Sequence, residues 1–392
     1  MKKKFIFRLT QLHPFLPGYL IIILSLSMIS PLSPQTSGEA PSAFQHELSY
    51  AHEFVSNLCG GLQKGNEHLG MANLRLMINP DYASLWKEGR FFVNAAMTLG
   101  GTPAGSLTGD FHGLSNIEAG KLIYIHELWY QHRFGSTIIT AGLQDLNKEF
   151  LVSDNAGLLI NSTFGVPAPL AGLALMPIFP HTTLGAAVQH RISESFHIQT
   201  AIYDGCPDDY ENKRFNLNWK LSKQDGYTSV SELHYVSPEN GGGLSVKAGY
   251  FYHTSSRHED EAEGFRNTSS VYLIADQNIY ASQGGTAAGV FLQGAVNTRL
   301  SARSFSYLGG GITIAGLMAA RPDDILSFGF ANTFSAGAED SISESILELA
   351  WRISLSEQVF IQPDVQYIIN PGSASEKLNN AVVVLLRAGV TL

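Results

Sequence analysis

The sequence has little charge, little cysteine and no long apolar run after its first 30 residues. Charged residues make up 15% of the 392 residues, and no later segment reaches the ~20 apolar residues that a membrane-spanning helix needs. The two cysteines, Cys59 and Cys206, lack the spacing of a metal site or redox pair; a disulfide and free thiols both remain open. Nucleophile-elbow, Walker and dinucleotide motifs are absent. We therefore predict a protein that is not an enzyme and needs no cofactor.

The first 40 residues have the features of an export signal. A basic start precedes the apolar run Tyr19 to Ile29, which has the length of a signal core. Residues 1–40 are therefore assigned to a signal peptide with an open cleavage site; an N-terminal membrane anchor is the alternative. This segment holds four basic residues and one acidic residue, so its removal lowers the net charge from −9 to −12. That balance disfavours nucleic-acid binding.

The final twelve residues, Ala381 to Leu392, predict a two-faced strand. Every second residue is apolar, whereas the other face carries Arg387 near its middle. Successive side chains of a strand point to opposite sides. Such a strand fits either a soluble sheet over a core or a transmembrane barrel with lipid outside and a polar lumen inside.

The same alternation recurs along the chain and favours the barrel. Roughly 14 to 18 such segments, separated by turn residues, have the length expected of outer-membrane strands. Examples are Lys121 to Phe134, its return strand Thr137 to Leu143, and Phe215 to Ser222. We predict an all-β fold, a transmembrane antiparallel β-barrel over residues 69–392. Residues 41–68 are assigned to a short N-terminal periplasmic or plug-like arm, with room for a short helix at 47–58.

Two connections stand out because of their composition. Residues 161–181 are rich in Pro, Gly and Ala, which indicates a long ordered loop able to fold over or into a pore mouth. A Gly/Ser-rich loop is flanked by Asp110 and Glu118, which either face solvent or fold inward. His126 and His132 have no metal-binding spacing, so no metal site is predicted.

Several motifs are familiar as a set. They are G-D-F-H-G-L-S-N-I-E-A at 109–119, E-L-W-Y-Q at 127–131, A-G-L-Q-D-L-N-K-E-F at 141–150, I-N-S-T-F-G at 160–165, A-I-Y-D-G at 201–205, R-P-D-D at 321–324 and Q-P-D-V-Q-Y-I-I-N-P-G at 362–372. From about residue 69 to 392 the chain resembles the carbohydrate-selective porin family (OprB type). The resemblance implies a 16-stranded barrel in the bacterial outer membrane that passes small polar solutes by diffusion.

Within that family the chain is most similar to the arginine-uptake porins (AaxA type). This resemblance implies L-arginine as the solute and a functional partnership with an arginine decarboxylase and an arginine/agmatine antiporter. Diffusion of mono- or oligosaccharides is the alternative. The oligomeric state is open, and a homo-oligomer is compatible with the sequence.

The polar face of the strands supplies the candidate pore-lining residues, because a pore's chemistry is a constriction of charges and hydrogen-bonding groups. They are Arg75, Glu127, Gln131, Arg133, Lys220, Lys247, Glu348, Arg352, Gln362, Asp364, Gln366 and Arg387. The competing interpretation is that each forms structural ion pairs away from the narrowest point. A soluble enzyme or lectin, with Glu348 and Asp364 as glycosidase acids, is a second class of function. The repeated outward apolar parity disfavours it.

Overall fold

The computed structural model describes most of the chain after residue 41. The described ranges are 42–80, 86–173, 176–207, 214–223, 225–238, 243–254, 268–282, 285–297, 303–337, 341–372 and 378–392. The predicted signal peptide at 1–40 therefore lies outside the described residues. Among the residues described, no helix is long and apolar enough to cross a membrane.

Sixteen strands dominate the fold, numbered here in chain order. They are β1 (Phe44–Gly61), β2 (Gly65–Ile78), β3 (Gly89–Gly100), β4 (Leu122–Phe134), β5 (Thr137–Gln144), β6 (Thr183–Arg191), β7 (Phe196–Asp204), β8 (Tyr227–Val236), β9 (Leu244–Thr254), β10 (Thr268–Ala281), β11 (Ala287–Asn297), β12 (Arg303–Ala315), β13 (Ile325–Gly337), β14 (Ser341–Ser354), β15 (Val359–Ile369) and β16 (Asn379–Thr391). One short helix, α1 (Ala168–Leu173), and single helical turns lie in the connections.

The strands form a closed antiparallel barrel in which each pairs with its sequence neighbours, and β1 pairs with β16. Closure leaves no strand edge with unpaired backbone groups, which is what a spanning sheet in lipid requires. The predicted all-β barrel of 16 strands is therefore confirmed.

The outward face of the strands is apolar along the described barrel. Mid-strand side chains from β10 to β16 that are about half exposed include Leu273, Leu292, Leu308, Phe328, Leu349, Val365 and Leu386. Their sequence neighbours, such as Ile274 and Arg387, are buried inside the barrel. The alternation read from β16 therefore sorts lipid-facing from lumen-facing side chains correctly.

The predicted N-terminal arm over residues 41–68 is wrong for the described residues 42–68. Residues 44–61 form β1, which pairs with β2 on one side and β16 on the other. The predicted short helix at 47–58 is likewise wrong. The inward residues of β1, which include Glu47, Glu53 and Val55, alternate with outward ones such as Phe54. This is the two-residue period of a strand.

The predicted strand at Phe215 to Ser222 is also wrong. These residues lie in the connection between β7 and β8. Phe215 and Asn216 adopt left-handed backbone conformations, with φ of 60° and 54°, which a strand cannot contain. The Asn216 amide donates to the carbonyl of Ile125 at 3.2 Å and so fixes this turn against β4.

A β-bulge in β4 changes its parity. The register with β3 shifts between Asn94 and Ala95, so His126 and Glu127 are both buried within the barrel. Strict alternation placed these two side chains on opposite faces. The extra residue of a bulge re-aims the side chains that follow it.

Cys59 is exposed and Cys206 is buried, and they are not bonded to each other. The barrel thus closes through its strand ladder and its lumen packing.

Candidate functional site

Two long connections fold into the lumen. We call residues 101–121, between β3 and β4, the first inner loop, and residues 145–182, between β5 and β6, the second inner loop. Their fully buried apolar side chains include Leu114, Leu146, Phe150, Ile160 and Phe164, which pack on inward apolar residues of the wall. The two loops therefore build an apolar core inside the barrel. For residues 161–181 the sequence predicts a long ordered loop able to fold over or into a pore mouth.

Wall carboxyl groups hold both loops by accepting hydrogen bonds from loop backbone N–H groups. On β14, Glu344 accepts from Phe111 and His112 of the first inner loop at 2.9–3.0 Å. Four residues further along β14, Glu348 accepts from the backbone N–H groups of Ile160 and Asn161 in the second inner loop. Backbone N–H groups in a loop interior need such partners because water is excluded there.

Carboxyl groups on β8 and β10 bind backbone N–H groups of the second inner loop in the same way. Glu232 accepts from the N–H of Leu151 at 3.3 Å, and Asp276 accepts from the N–H of Asn155 at 3.0 Å. These buried carboxyl groups face the lumen, where the second inner loop covers them, and neither was among the predicted pore-lining residues.

Several predicted pore-lining residues serve the same purpose. Lys247 donates to the carbonyl of Val152 at 2.6 Å. Gln362 donates to the carbonyl of Leu158 at 2.8 Å, and Gln366 donates to that of Leu114 at 3.0 Å. Asp364, buried on β15, lies between these two glutamines. Glu348, Gln362 and Gln366 thus bind the inner loops, whereas neither carboxyl oxygen of Asp364 has a hydrogen-bond partner among the described residues.

Two predicted arginines, Arg75 and Arg387, lie on the side of the lumen that the inner loops leave uncovered, and each is opposite a carboxylate on β1. Arg75 on β2 is paired with Glu47 on β1. Arg387 on β16 is paired with Glu53 on β1 and also donates to the Asn116 side-chain oxygen at 2.6 Å. Each guanidinium charge is thus balanced by the carboxylate directly across the ladder.

Glu127 and Gln131 lie inward on β4 and bind their neighbours. Trp129 donates to Glu127 at 3.2 Å, and Gln131 donates to Thr140 on β5 at 3.1 Å.

Three predicted residues lie away from the main lumen. Arg133 is half exposed at the end of β4, 3.8 Å from Glu88. Lys220 is exposed in the connection between β7 and β8. Arg352 stacks on the Phe360 ring at 3.8 Å and lines a small cavity of about 50 Å³ behind the second inner loop.

A passage remains between the inner loops and one side of the wall. It is a cavity of about 510 Å³, bounded on the wall mainly by β1–β4 and β16. The inner loops bound it through Ser115, Asn116, Glu118, Asn147 and Phe179, among others. On the wall it is lined by Ser49, Ala51, Met71, Asn73, Arg75, Asn94, His126 and Arg387. We take this passage as the candidate permeation site.

Sequence reasoning missed the carboxamides of this passage. Asn73 and Asn94 lie on the polar faces of β2 and β3. They carry no charge, whereas most of the predicted pore-lining residues are charged. Asn116 and Asn147 lie in the inner loops. Alternation identifies the inward face of a strand, whereas which inward residues stay uncovered depends on where the loops pack.

The charges along the passage are largely balanced at neutral pH: Arg75 and Arg387 are paired with Glu47 and Glu53, and Lys148 lies near Asp145. Burial raises the pKa of Glu118 to about 8, so this carboxyl is mostly protonated. Burial lowers the pKa of His112 to about 3, so this imidazole is neutral. Burial alone would raise the pKa of Asp145. The hydrogen bond from His126 at 3.0 Å, the nearby His126 and Lys148 charges and the N–H of Asn147 together outweigh burial and lower that pKa. In the described ranges no cluster of three His, Cys, Asp or Glu side chains is placed to hold a metal ion.

Comparison with known proteins identifies a family and several structures that this barrel resembles. The model of the family described as "Carbohydrate-selective porin, OprB family" matches residues 83–392. The high-pH structure of Pseudomonas putida OprB is similar with a TM-score of 0.79 at 17% identity, covering 89% of this chain and 94% of that chain. The curated proteins include no match.

More distant porins share the barrel. Salmonella typhi OmpF, in a complex with daunomycin, has a TM-score of 0.58 at 8% identity, covering 89% of this chain and 97% of that chain. A loop L8 deletion mutant of Vibrio cholerae OmpT has a TM-score of 0.56 at 8% identity, covering 90% and 100%. With the closed barrel and lumen passage, the family match establishes that this chain belongs to the carbohydrate-selective porin, OprB family and is an outer-membrane porin.

Proposed function

We propose that the chain passes neutral mono- or oligosaccharides by passive diffusion through the passage. The observation that carries this proposal is the balance of charge along it: Arg75 faces Glu47, and Arg387 faces Glu53. What remains is rich in carboxamides, hydroxyls and rings, the groups that suit uncharged polyols. The cavity of about 510 Å³ lies within the roughly 300–1,000 Å³ range of small-molecule sites.

Arginine uptake, favoured by the closer sequence resemblance, has weaker support. A guanidinium solute entering a narrow passage needs fixed negative charge to offset its lost hydration. Glu344 and Glu348 are turned to the inner loops, and Glu118 is mostly protonated at neutral pH. Asp145, a carboxylate that does line the passage, is hydrogen-bonded to His126 and lies near Lys148. The arginine proposal, and with it the partnership with arginine decarboxylation, therefore has less support.

Liposome swelling separates the two solutes. Proteoliposomes containing the full chain should swell faster in glucose or maltose than in arginine of equal osmolarity. A variant with Asn94→Asp adds a carboxylate to the passage and should shift the ratio toward arginine. Arginine entering the wild-type proteoliposomes faster than glucose would overturn the carbohydrate proposal.

A further inference from the structure

Asn73 and Asn94 are neighbours on the open wall of the passage. In the ladder of β2 and β3, Asn73 lies opposite Ala96, and Asn94 lies opposite Arg75. They are therefore diagonal neighbours on the inward face. Such neighbours lie about 7–8 Å apart, close enough for both side chains to reach one small ring.

Both asparagines are buried, and the side-chain oxygen of each lacks a partner. Asn73 is 6% exposed and Asn94 is 2% exposed. Within the part of the chain that the structure describes, the side-chain oxygen of each has no hydrogen bond. A buried acceptor without a partner costs about 1–3 kcal/mol, so a solute that donates to these oxygens recovers energy on arrival.

The surroundings of the pair favour an uncharged solute. Both asparagines line the same cavity as Ser115 and Asn116 of the first inner loop. The Arg387 guanidinium is occupied by Glu53 and Asn116. The carboxylates on the neighbouring strands are already engaged. Glu47 binds Arg75, and Glu127, directly opposite Asn94 in the ladder of β3 and β4, accepts a hydrogen bond from Trp129.

We propose that Asn73 and Asn94 form a hydroxyl-binding subsite for a neutral sugar ring. Each carboxamide oxygen accepts from one sugar hydroxyl, and each amide group donates to a neighbouring sugar oxygen. The pair gives the passage affinity for polyols in addition to a size limit. This inference rests on the proposed function and adds the residues that recognise the solute.

Sugar-dependent block of ion current in planar bilayers tests the subsite. Leucine is close to asparagine in size, so Asn73→Leu and Asn94→Leu remove the polar groups without widening the passage. Each substitution should raise the maltose concentration for half-block about five- to tenfold, the loss expected for one or two neutral hydrogen bonds. Conductance in salt alone should stay within about twofold of the wild type.

Thr98→Val is the matched control. Thr98 lies on β3, on the same inward face as Asn94, and its hydroxyl is also buried without a partner among the described residues. It does not line the cavity. The half-block concentration of this variant should equal that of the wild type. Asn73→Ser and Asn94→Ser replace the carboxamide with a smaller polar group, a hydroxyl, and should give intermediate values. These variants also test the subsite if the leucine variants fail to insert.

These measurements distinguish a failure of the Asn73–Asn94 subsite from a failure of the carbohydrate proposal. Wild-type swelling in sugar, together with unchanged block in the Asn73 and Asn94 variants, would overturn the subsite and leave the carbohydrate proposal standing. A larger effect of Thr98→Val than of Asn94→Leu would overturn it as well. A wild-type channel that neither passes nor is blocked by sugars would overturn both.

Discussion

Arg387 on β16 lies directly opposite Glu53 on β1, and the two side chains form a buried ion pair across the seam that closes the barrel. The same guanidinium donates to Asn116 of the first inner loop at 2.6 Å. One side chain thus joins the first strand, the last strand and an inner loop.

The seam pair should stabilise the barrel strongly when judged by single substitutions. Arg387→Met or Glu53→Gln leaves a buried group without its partner, and breaking such a pair costs about 3–5 kcal/mol. The free energy of unfolding, measured by urea titration in detergent or lipid, should fall by that order in each single variant.

The double variant Glu53→Gln, Arg387→Met is the control for the seam pair. It should be less destabilised than the sum of the two singles, because neither buried charge is then left alone. Additive losses in the double variant would show that the two side chains do not interact energetically.

Glu348 should hold the second inner loop in place. Glu348→Leu leaves the N–H groups of Ile160 and Asn161 without acceptors, each at a cost of about 1–3 kcal/mol. Added protease should then cleave within residues 145–182 faster than in the wild type, and open-channel current should become noisier.

Glu344→Leu is the matched variant, because Glu344 lies on the same strand and face but binds the first inner loop. Its new cleavage should map to residues 101–121. Identical fragment patterns from the two variants would contradict the assignment of one carboxyl to each loop.

Glu118 should make ion selectivity depend on pH. A carboxyl with a raised pKa of about 8 is neutral below that pH and negative above it. The cation-to-anion permeability ratio, measured from reversal potentials, should therefore rise between about pH 7 and about pH 9.

Glu118→Gln should remove this rise while leaving the ratio near pH 6 unchanged. A rise of equal size in the glutamine variant would assign the titration to another group.

The lipid-facing surface should reject charge at mid-strand. Leu273, near the middle of β10, is 45% exposed on the outer face. Leu273→Arg should lower the free energy of unfolding in bilayers by about 2–4 kcal/mol, the cost of a basic residue at the midplane. Leu317→Arg is the control, because Leu317 is similarly exposed in the connection between β12 and β13. Equal losses would contradict the assigned membrane face.

The sequence predicted the outer face of the barrel better than its lumen. Lipid imposes one rule on every outward residue, so alternation alone sorts Leu386 from Arg387. The inward residues obey no single rule. Glu348 meets Ile160, a partner 188 positions away, and nothing local indicates that encounter.

Local irregularities account for the remaining errors. The bulge at His126 and Glu127 and the left-handed turn at Phe215 and Asn216 break a period that the side chains alone still suggest. The arm was predicted in place of β1 because that strand carries inward carboxylates, whose arginine partners lie on β2 and β16.

Carboxyl and carboxamide groups of β8, β14 and β15 hold the inner loops, whereas the passage runs along β1 to β4 and β16, where His126 and Arg387 also bind the loops. Glu232, Glu344, Glu348 and Gln366 hold the loops without lining this passage. Substitutions at residues that only line the passage, such as Asn73 and Asn94, should therefore change solute preference while the side chains that hold the inner loops stay in place.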